Sequence, residues 1–206
     1  LNSINRDGVV IINSFVEKTQ IKILEKEFNK IIKENKFKRN FYKFPGTEMV
    51  KINLESKSDY YFFNKYPFIS KYIQNSKSFL GEQTSYKTHR LLIYLHRDND
   101  KVTTNVRWHM DPTDETKFFL TIGDSTKENG ATDIDLGSYS DSLYRYKYRD
   151  QLPIIRKAWS DGTIFREESM INNKVSTARK SEDLLIFRTG NFHKVGKISK
   201  NNSRMC

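Results

Sequence analysis

The sequence predicts an α+β protein, mostly β, with helices first and a double-layered antiparallel sheet after them. Three observations predict it. An apolar stripe at helical spacing fills residues 17–34. From residue 86 onward, short apolar or alternating runs follow one another, separated by turn residues. Candidate metal ligands are scattered between those runs, and a barrel of two sheets, a jelly roll, can bring such residues to one mouth.

In chain order, Asp7-Gly8 opens the β-branched run Val9-Val10-Ile11-Ile12, a short buried strand ending at Asn13-Ser14. Ile21, Leu24, Phe28, Ile31 and Ile32 then mark a long amphipathic helix, with Lys22, Lys26, Lys30 and Lys33 on its solvated side. Residues 36–46 are basic and aromatic, end in Pro45-Gly46, and read as a loop. A strand is expected over 49–54, and a second helix over 67–80, stopped by Gly81. Tyr86 to Leu95 reads as a strand whose hairpin partner is Thr103 to Met110. Further strands are expected at 117–122, at 131–136 after the Asn129-Gly130 turn signal, within 162–178, at 183–188 and from Ser203 onward. Residues 140–149, where Tyr144, Tyr146 and Tyr148 alternate with cations, read as a surface segment or a substrate-facing lid.

At 206 residues the chain is one domain, long enough for a proper core, to which 14 Phe and 11 Tyr contribute large side chains. No apolar run is long enough for a membrane span. The single cysteine, Cys206, excludes an internal disulfide framework and a cysteine-rich zinc site, and fits a reducing cytoplasm. The sequence lacks an initiator Met and stops two residues after Arg204, so it reads as trimmed at both ends. The net charge of +11 is spread along the chain rather than clustered. An anionic small substrate or a negatively charged partner explains it as well as a nucleic acid does, because a positive field speeds encounter with either.

The chemistry centres on Trp108-His109-Met110-Asp111-Pro112. Residues two apart on a strand point the same way, so His109 and Asp111 offer a nitrogen and a carboxylate oxygen to one point. Those are two of the three ligands of a 2-His-1-carboxylate site, which leaves positions open on Fe(II). His193 is the candidate third ligand, and Arg204 is a guanidinium able to grip a carboxylate with two parallel hydrogen bonds. A second His-x-Asp, His96-Arg97-Asp98, sits before Asn99-Asp100-Lys101 and reads as a solvated hairpin tip. It also matches the start of a kinase catalytic loop, but Thr103 stands where that loop needs Asn, and there is no Asp-Phe-Gly.

Three blocks resemble the phytanoyl-CoA dioxygenase-like branch of the Fe(II)/2-oxoglutarate oxygenases. They are Arg6 to Phe15; Trp108-His109-Met110-Asp111 through Lys117-Phe118-Phe119-Leu120-Thr121 to Glu128-Asn129-Gly130 and Leu136-Gly137-Ser138; and Glu182 to Phe187 through His193 to Arg204. The resemblance implies a double-stranded β-helix, cupin-like, with N-terminal helices packed on one sheet. It implies His109, Asp111 and His193 as ligands of Fe(II), Arg204 on the far carboxylate of the cosubstrate 2-oxoglutarate, and O2 as oxidant. The reaction implied is hydroxylation of a small molecule with release of succinate and CO2. Asp111, rather than Gly or Ala, leaves no vacancy for chloride. Three positions depart from the family pattern: Leu136 where Pro is usual, Tyr139 where His is frequent, and Val195 where some members carry a hydroxyl.

Lys117 is a candidate contact to the cosubstrate or substrate, and Arg107 to an acidic substrate; each also has a plain reading as a strand-edge cation. Residues 36–66 and 138–178 are the least family-like and would shape the pocket. Three competing readings are a catalytically silent cupin-like binding barrel, an oxygenase of the same class acting on nucleic acid or protein, and a basic nucleic-acid-binding module.

Overall fold

In the computed structural model the described residues are 4, 6–35, 41–44, 47–53, 67, 71, 90–97, 107–111, 115–138, 164–199 and 203–206. The elements are β1 (Val9–Ile12), α1 (Lys18–Asn35), β2 (Phe41–Phe44), β3 (Thr47–Asn53), β4 (Arg90–Arg97), β5 (Trp108–Met110), β6 (Thr116–Leu120) and β7 (Thr132–Asp135). They continue with β8 (Ile164–Arg166), a short 3-10 turn at Glu168–Met170, β9 (Lys174–Ser176), β10 (Leu184–Arg188), β11 (His193–Val195) and β12 (Ser203–Met205).

The strands pair antiparallel into sheets of order β1-β10-β6, β12-β4-β3-β2 and β8-β5-β11-β7-β9. Just past β6, Ile122 bridges Met205 of β12, so the first two sheets run on into one layer. Alternation then decides which side chains face where. Ile93, Leu95, Val50, Ile122 and Met205 form one face, against which α1 lays Ile21, Leu24, Phe28 and Ile32. Tyr94, His96 and Arg204 belong to the opposite face by the same alternation. On β10, Leu184 and Ile186 pack outward with Ile4 and Phe118, while Leu185 and Phe187 pack against Ile134 and Val175 of the five-stranded sheet. β10 is thus covered on both sides, which is why it reads as a continuous apolar run. Each such buried aliphatic or aromatic side chain contributes roughly 1.5–3 kcal/mol.

The first strand, the long helix and the strands near 117, 132, 184 and 203 fall where the sequence predicts them. The lysines at 22, 26, 30 and 33 are exposed, as expected of a solvated helix face. The expected helix over 67–80 and the segment 140–149 lie outside the described residues, apart from Pro67 and Lys71, both helical.

Three expectations need correction. Residues 41–44 form a strand paired with β3, not a loop, because Phe41 turns into the helix-facing core while Tyr42 stays exposed. β5 is not the hairpin partner of β4; it pairs with β8 and β11 in the other layer, whereas β4 pairs with β3 and β12. His96 does not lie in a solvated tip: β4 runs on to Arg97, and His96 is buried and shares a 3.1 Å hydrogen bond with Thr47 Oγ1.

Candidate metal centre

His109 and His193 face each other across the β5–β11 ladder as Cα partners, so both imidazoles leave the sheet on the same side, ring centroids 4.4 Å apart. The neighbours of His109 point the other way. Trp108 gives its indole N–H to Glu168 at 2.5 Å and, with Met110, packs on Phe192. Glu168 also takes Lys194 (2.6 Å) and Lys174 (3.0 Å), and these three donors hold its carboxyl down to about 2. This outer cluster fixes β5 from behind.

The two histidines are oriented identically. His109 Nδ1 lies 2.8 Å from the carbonyl oxygen of Arg107, and His193 Nδ1 lies 2.9 Å from that of Asn191, each two residues earlier. A carbonyl only accepts, so Nδ1 carries the hydrogen in both rings and Nε2 presents its lone pair. Both Nε2 atoms look at one oxygen, Asp111 Oδ1, at 3.7 and 3.8 Å. These separations exceed a hydrogen bond, and the donor atoms of all three residues lie within 4.8 Å of one another. Asp111 turns its other oxygen, Oδ2, to Lys117 Nζ at 2.5 Å.

The electrostatics suit a cation. Burial, and then the neighbouring His109, hold His193 down to about 3, so it is a neutral donor. Burial alone would raise Asp111, but Lys117 and the two imidazoles outweigh it and keep the carboxyl below its usual range. Two imidazole nitrogens and one carboxylate oxygen on a partly enclosed face are a donor set that an Fe(II)-type ion takes.

The N-terminal block supports this face. Gly8, at φ +72°, lies so close to Asn191 that a Cβ there would meet its Nδ2 at 2.2 Å. Asn191 Nδ2 donates to Asp7 O (3.1 Å), and Ser138 Oγ accepts from the Phe192 N–H (2.8 Å). The Leu136-Gly137-Ser138 and Asp7-Gly8 blocks thus meet around the turn that carries His193.

The other expected site residues are placed differently. Lys117 joins the cluster through Asp111. Arg107 contributes its carbonyl to His109, while its exposed side chain lies 5.8 Å over the Phe165 ring. Arg204 is 2% exposed, on the inward face of β12 opposite His96, with Nη1 on the carbonyl of Gly130. Its Nε and Nη2 have no partner among the described residues. Sequence reasoning missed Arg179, a second buried guanidinium with orphaned nitrogens, and the parts played by Asn191 and Ser138.

No protein-family model matches the sequence, and no curated protein matches it. Solved structures do match. The epimerase SnoN, in complex with Fe3+, alpha ketoglutarate and nogalamycin RO, superposes with a TM-score of 0.62 at 12% identity, over 99% of this chain and 78% of that one. EvdO2 from Micromonospora carbonacea var. aurantiaca, complexed with 2-oxoglutarate, gives 0.62 at 12%, over 99% and 85%. HygX from Streptomyces hygroscopicus, with nickel, 2-oxoglutarate and hygromycin B, gives 0.61 at 11%, over 98% and 81%. At these identities the likeness is one of fold.

Proposed function

We propose that this chain is an Fe(II)- and 2-oxoglutarate-dependent oxygenase that hydroxylates a small molecule. One observation carries the proposal: the His109–Asp111–His193 cluster, in which two tautomer-fixed imidazoles and one carboxylate oxygen point at a common space. SnoN was solved with Fe3+ and alpha ketoglutarate and HygX with nickel and 2-oxoglutarate, which supports the same ligands here. The interleaved strand orders, β4-β12-β6-β10 in one layer and β5-β11-β7-β9 in the other, support a double-stranded β-helix of the phytanoyl-CoA dioxygenase-like kind.

In this reading His109, Asp111 and His193 hold the metal, and the bound iron supplies the redox chemistry by which O2 and 2-oxoglutarate become CO2, succinate and an oxidant. The residues of the chain do the rest. Nδ1–H bonds to the Arg107 and Asn191 carbonyls keep both Nε2 lone pairs inward. Lys117 holds Oδ2 of Asp111, and Oδ1 is the oxygen that both Nε2 atoms face. Arg204, buried with two unpaired nitrogens, meets the far carboxylate of the keto acid, a group that needs such a partner once desolvated. A net charge of +11 would speed encounter with an anionic substrate.

The test is succinate release from 2-oxoglutarate with Fe(II), O2 and ascorbate, without added substrate. Slow turnover that disappears in His193→Ala supports the reading. Absence of succinate, together with absence of any metal- or 2-oxoglutarate-dependent rise in melting temperature, would leave a silent binding barrel. Because the similar folds include an epimerase, products of a substrate screen should be tested for inversion as well as for added oxygen.

A further inference from the structure

Two arginines are buried among the described residues. Arg204 is one; Arg179, 7% exposed, is the other. Arg179 follows β9, and the alternation of that strand puts Val175, Thr177 and Arg179 on one side. Its backbone is clamped by reciprocal hydrogen bonds with Ser125 (2.8 and 2.9 Å). Its side chain gives Nη1 to Thr177 O at 3.0 Å, and Thr177 gives both its N–H and its hydroxyl to Thr132 O. Arg204 reaches the same corner of the five-stranded sheet from the other layer, through the carbonyl of Gly130, two residues before Thr132. Arg179 thus sits on Thr177, which is bonded to Thr132, and Arg204 sits on Gly130, two residues away in the same stretch, close enough for its charge to act on Arg179.

Neither is satisfied there. Nε and Nη2 of both arginines lack a partner among the described residues, as do the buried hydroxyls of Ser125, Thr132 and Thr121. The carboxylate of Asp183 accepts from the N–H groups of Ser14 and Lys180; it and the buried Cys206 act on Arg179 only through space, so neither arginine makes an ion pair among the described residues. Burial, and then the charge of Arg204, hold Arg179 down to about 10. Two like charges, desolvated and facing one corner with donors to spare, call for an anion between them.

We propose that Arg179 is a second guanidinium of the cosubstrate pocket, which with Arg204 clamps the far carboxylate of 2-oxoglutarate. This rests on the oxygenase reading and adds a selectivity: the site discriminates a keto acid with a second carboxylate from one without.

The test compares 2-oxoglutarate with pyruvate, which has the same metal-chelating end and no far carboxylate. Calorimetric titrations of both into the Ni(II)-loaded protein are run for the wild type, Arg179→Met and Arg179→Lys, beside melting curves without keto acid. The expected result is ~10- to 100-fold weaker 2-oxoglutarate binding in Arg179→Met, the loss of one or two charge-assisted bonds, with pyruvate affinity unchanged. Should Arg179→Met fail to fold, Arg179→Lys decides. A lysine keeps the charge but not the fork, so 2-oxoglutarate should weaken several-fold while pyruvate does not. Unchanged 2-oxoglutarate binding overturns the proposal, and so does an equal loss for both acids, which would make Arg179 purely structural. If the wild type binds Ni(II) but neither acid, or no Ni(II) at all, the oxygenase reading itself fails, and the clamp fails with it.

Discussion

His109 and His193 are Cα partners on adjacent antiparallel strands, and each gives its Nδ1 hydrogen to the carbonyl two residues before it. The candidate metal face is therefore a property of sheet register as much as of side-chain identity. A one-residue slip of β11 would send His193 to the far side of the sheet.

The first prediction concerns this pair. Saturating Ni(II) should raise the melting temperature of the wild type by roughly 5–10 °C, the linkage expected at about a hundred times the dissociation constant. His109→Ala and His193→Ala should each abolish the rise. A rise that survives in either variant would mean that the metal sits elsewhere.

Lys117 gives a second. Its ammonium lies 2.5 Å from Asp111 Oδ2, and both side chains are largely shielded from water. Lys117→Met leaves the carboxylate short of a partner in the metal-free protein, at a cost of about 1–3 kcal/mol. A bound dication would replace much of that charge, so the variant should lose less stability with Ni(II) than without. Urea unfolding in both states tests this; equal losses would contradict it.

A third rests on backbone geometry. Gly130 has φ +82°, and a Cβ there would meet Ile198 Cγ1 at 2.5 Å and the Gly196 carbonyl at 2.9 Å. Gly130→Ala should cost about 1–3 kcal/mol. It should also weaken 2-oxoglutarate binding, because the carbonyl that steadies Arg204 belongs to the displaced residue. Stability close to wild type by denaturant unfolding would refute the strain argument.

The fourth concerns pH. His96 is buried, and burial followed by the charge of Arg204 holds it down to about 3. A histidine whose folded value is depressed stays neutral in the native state while the unfolded chain takes up a proton near 6.5. Stability should therefore fall as pH drops from about 6.5 toward 3, at up to about 1.4 kcal/mol per pH unit for this one group. His96→Gln should flatten the dependence between pH 6 and 4 in urea melts. An unchanged slope would mean that His96 is protonated in the fold.

The sequence made the helix and β10 legible because each obeys a single period: 3.6 for Ile21, Leu24, Phe28 and Ile32, and an unbroken apolar run for Leu184 to Phe187. The His-x-Asp pair on a strand was legible for the same reason. The pairing of β5 was not, because local hairpins are the simplest expectation and from β4 to β7 this fold sends consecutive strands to opposite layers. His96 was misread because the polar Asp98-Asn99-Asp100 run outweighed the alternation of Tyr94 and His96, which stack at 5.4 Å on the inward face. Strand β2 was hidden by the Lys-rich composition of its surroundings, although Phe41 and Tyr42 already alternate inward and outward. Arg179 had no local signal at all. It becomes visible only once the structure leaves its donors unpaired beside those of Arg204.

The most direct measurement is an anaerobic titration of Fe(II) and 2-oxoglutarate followed by the visible charge-transfer absorption of a chelated keto acid. The wild type should develop the band at one Fe(II) per chain, and Asp111→Ala and His193→Ala should not develop it at all. No band in the wild type, or an undiminished band in both variants, would contradict the assignment of His109, Asp111 and His193 as the iron site.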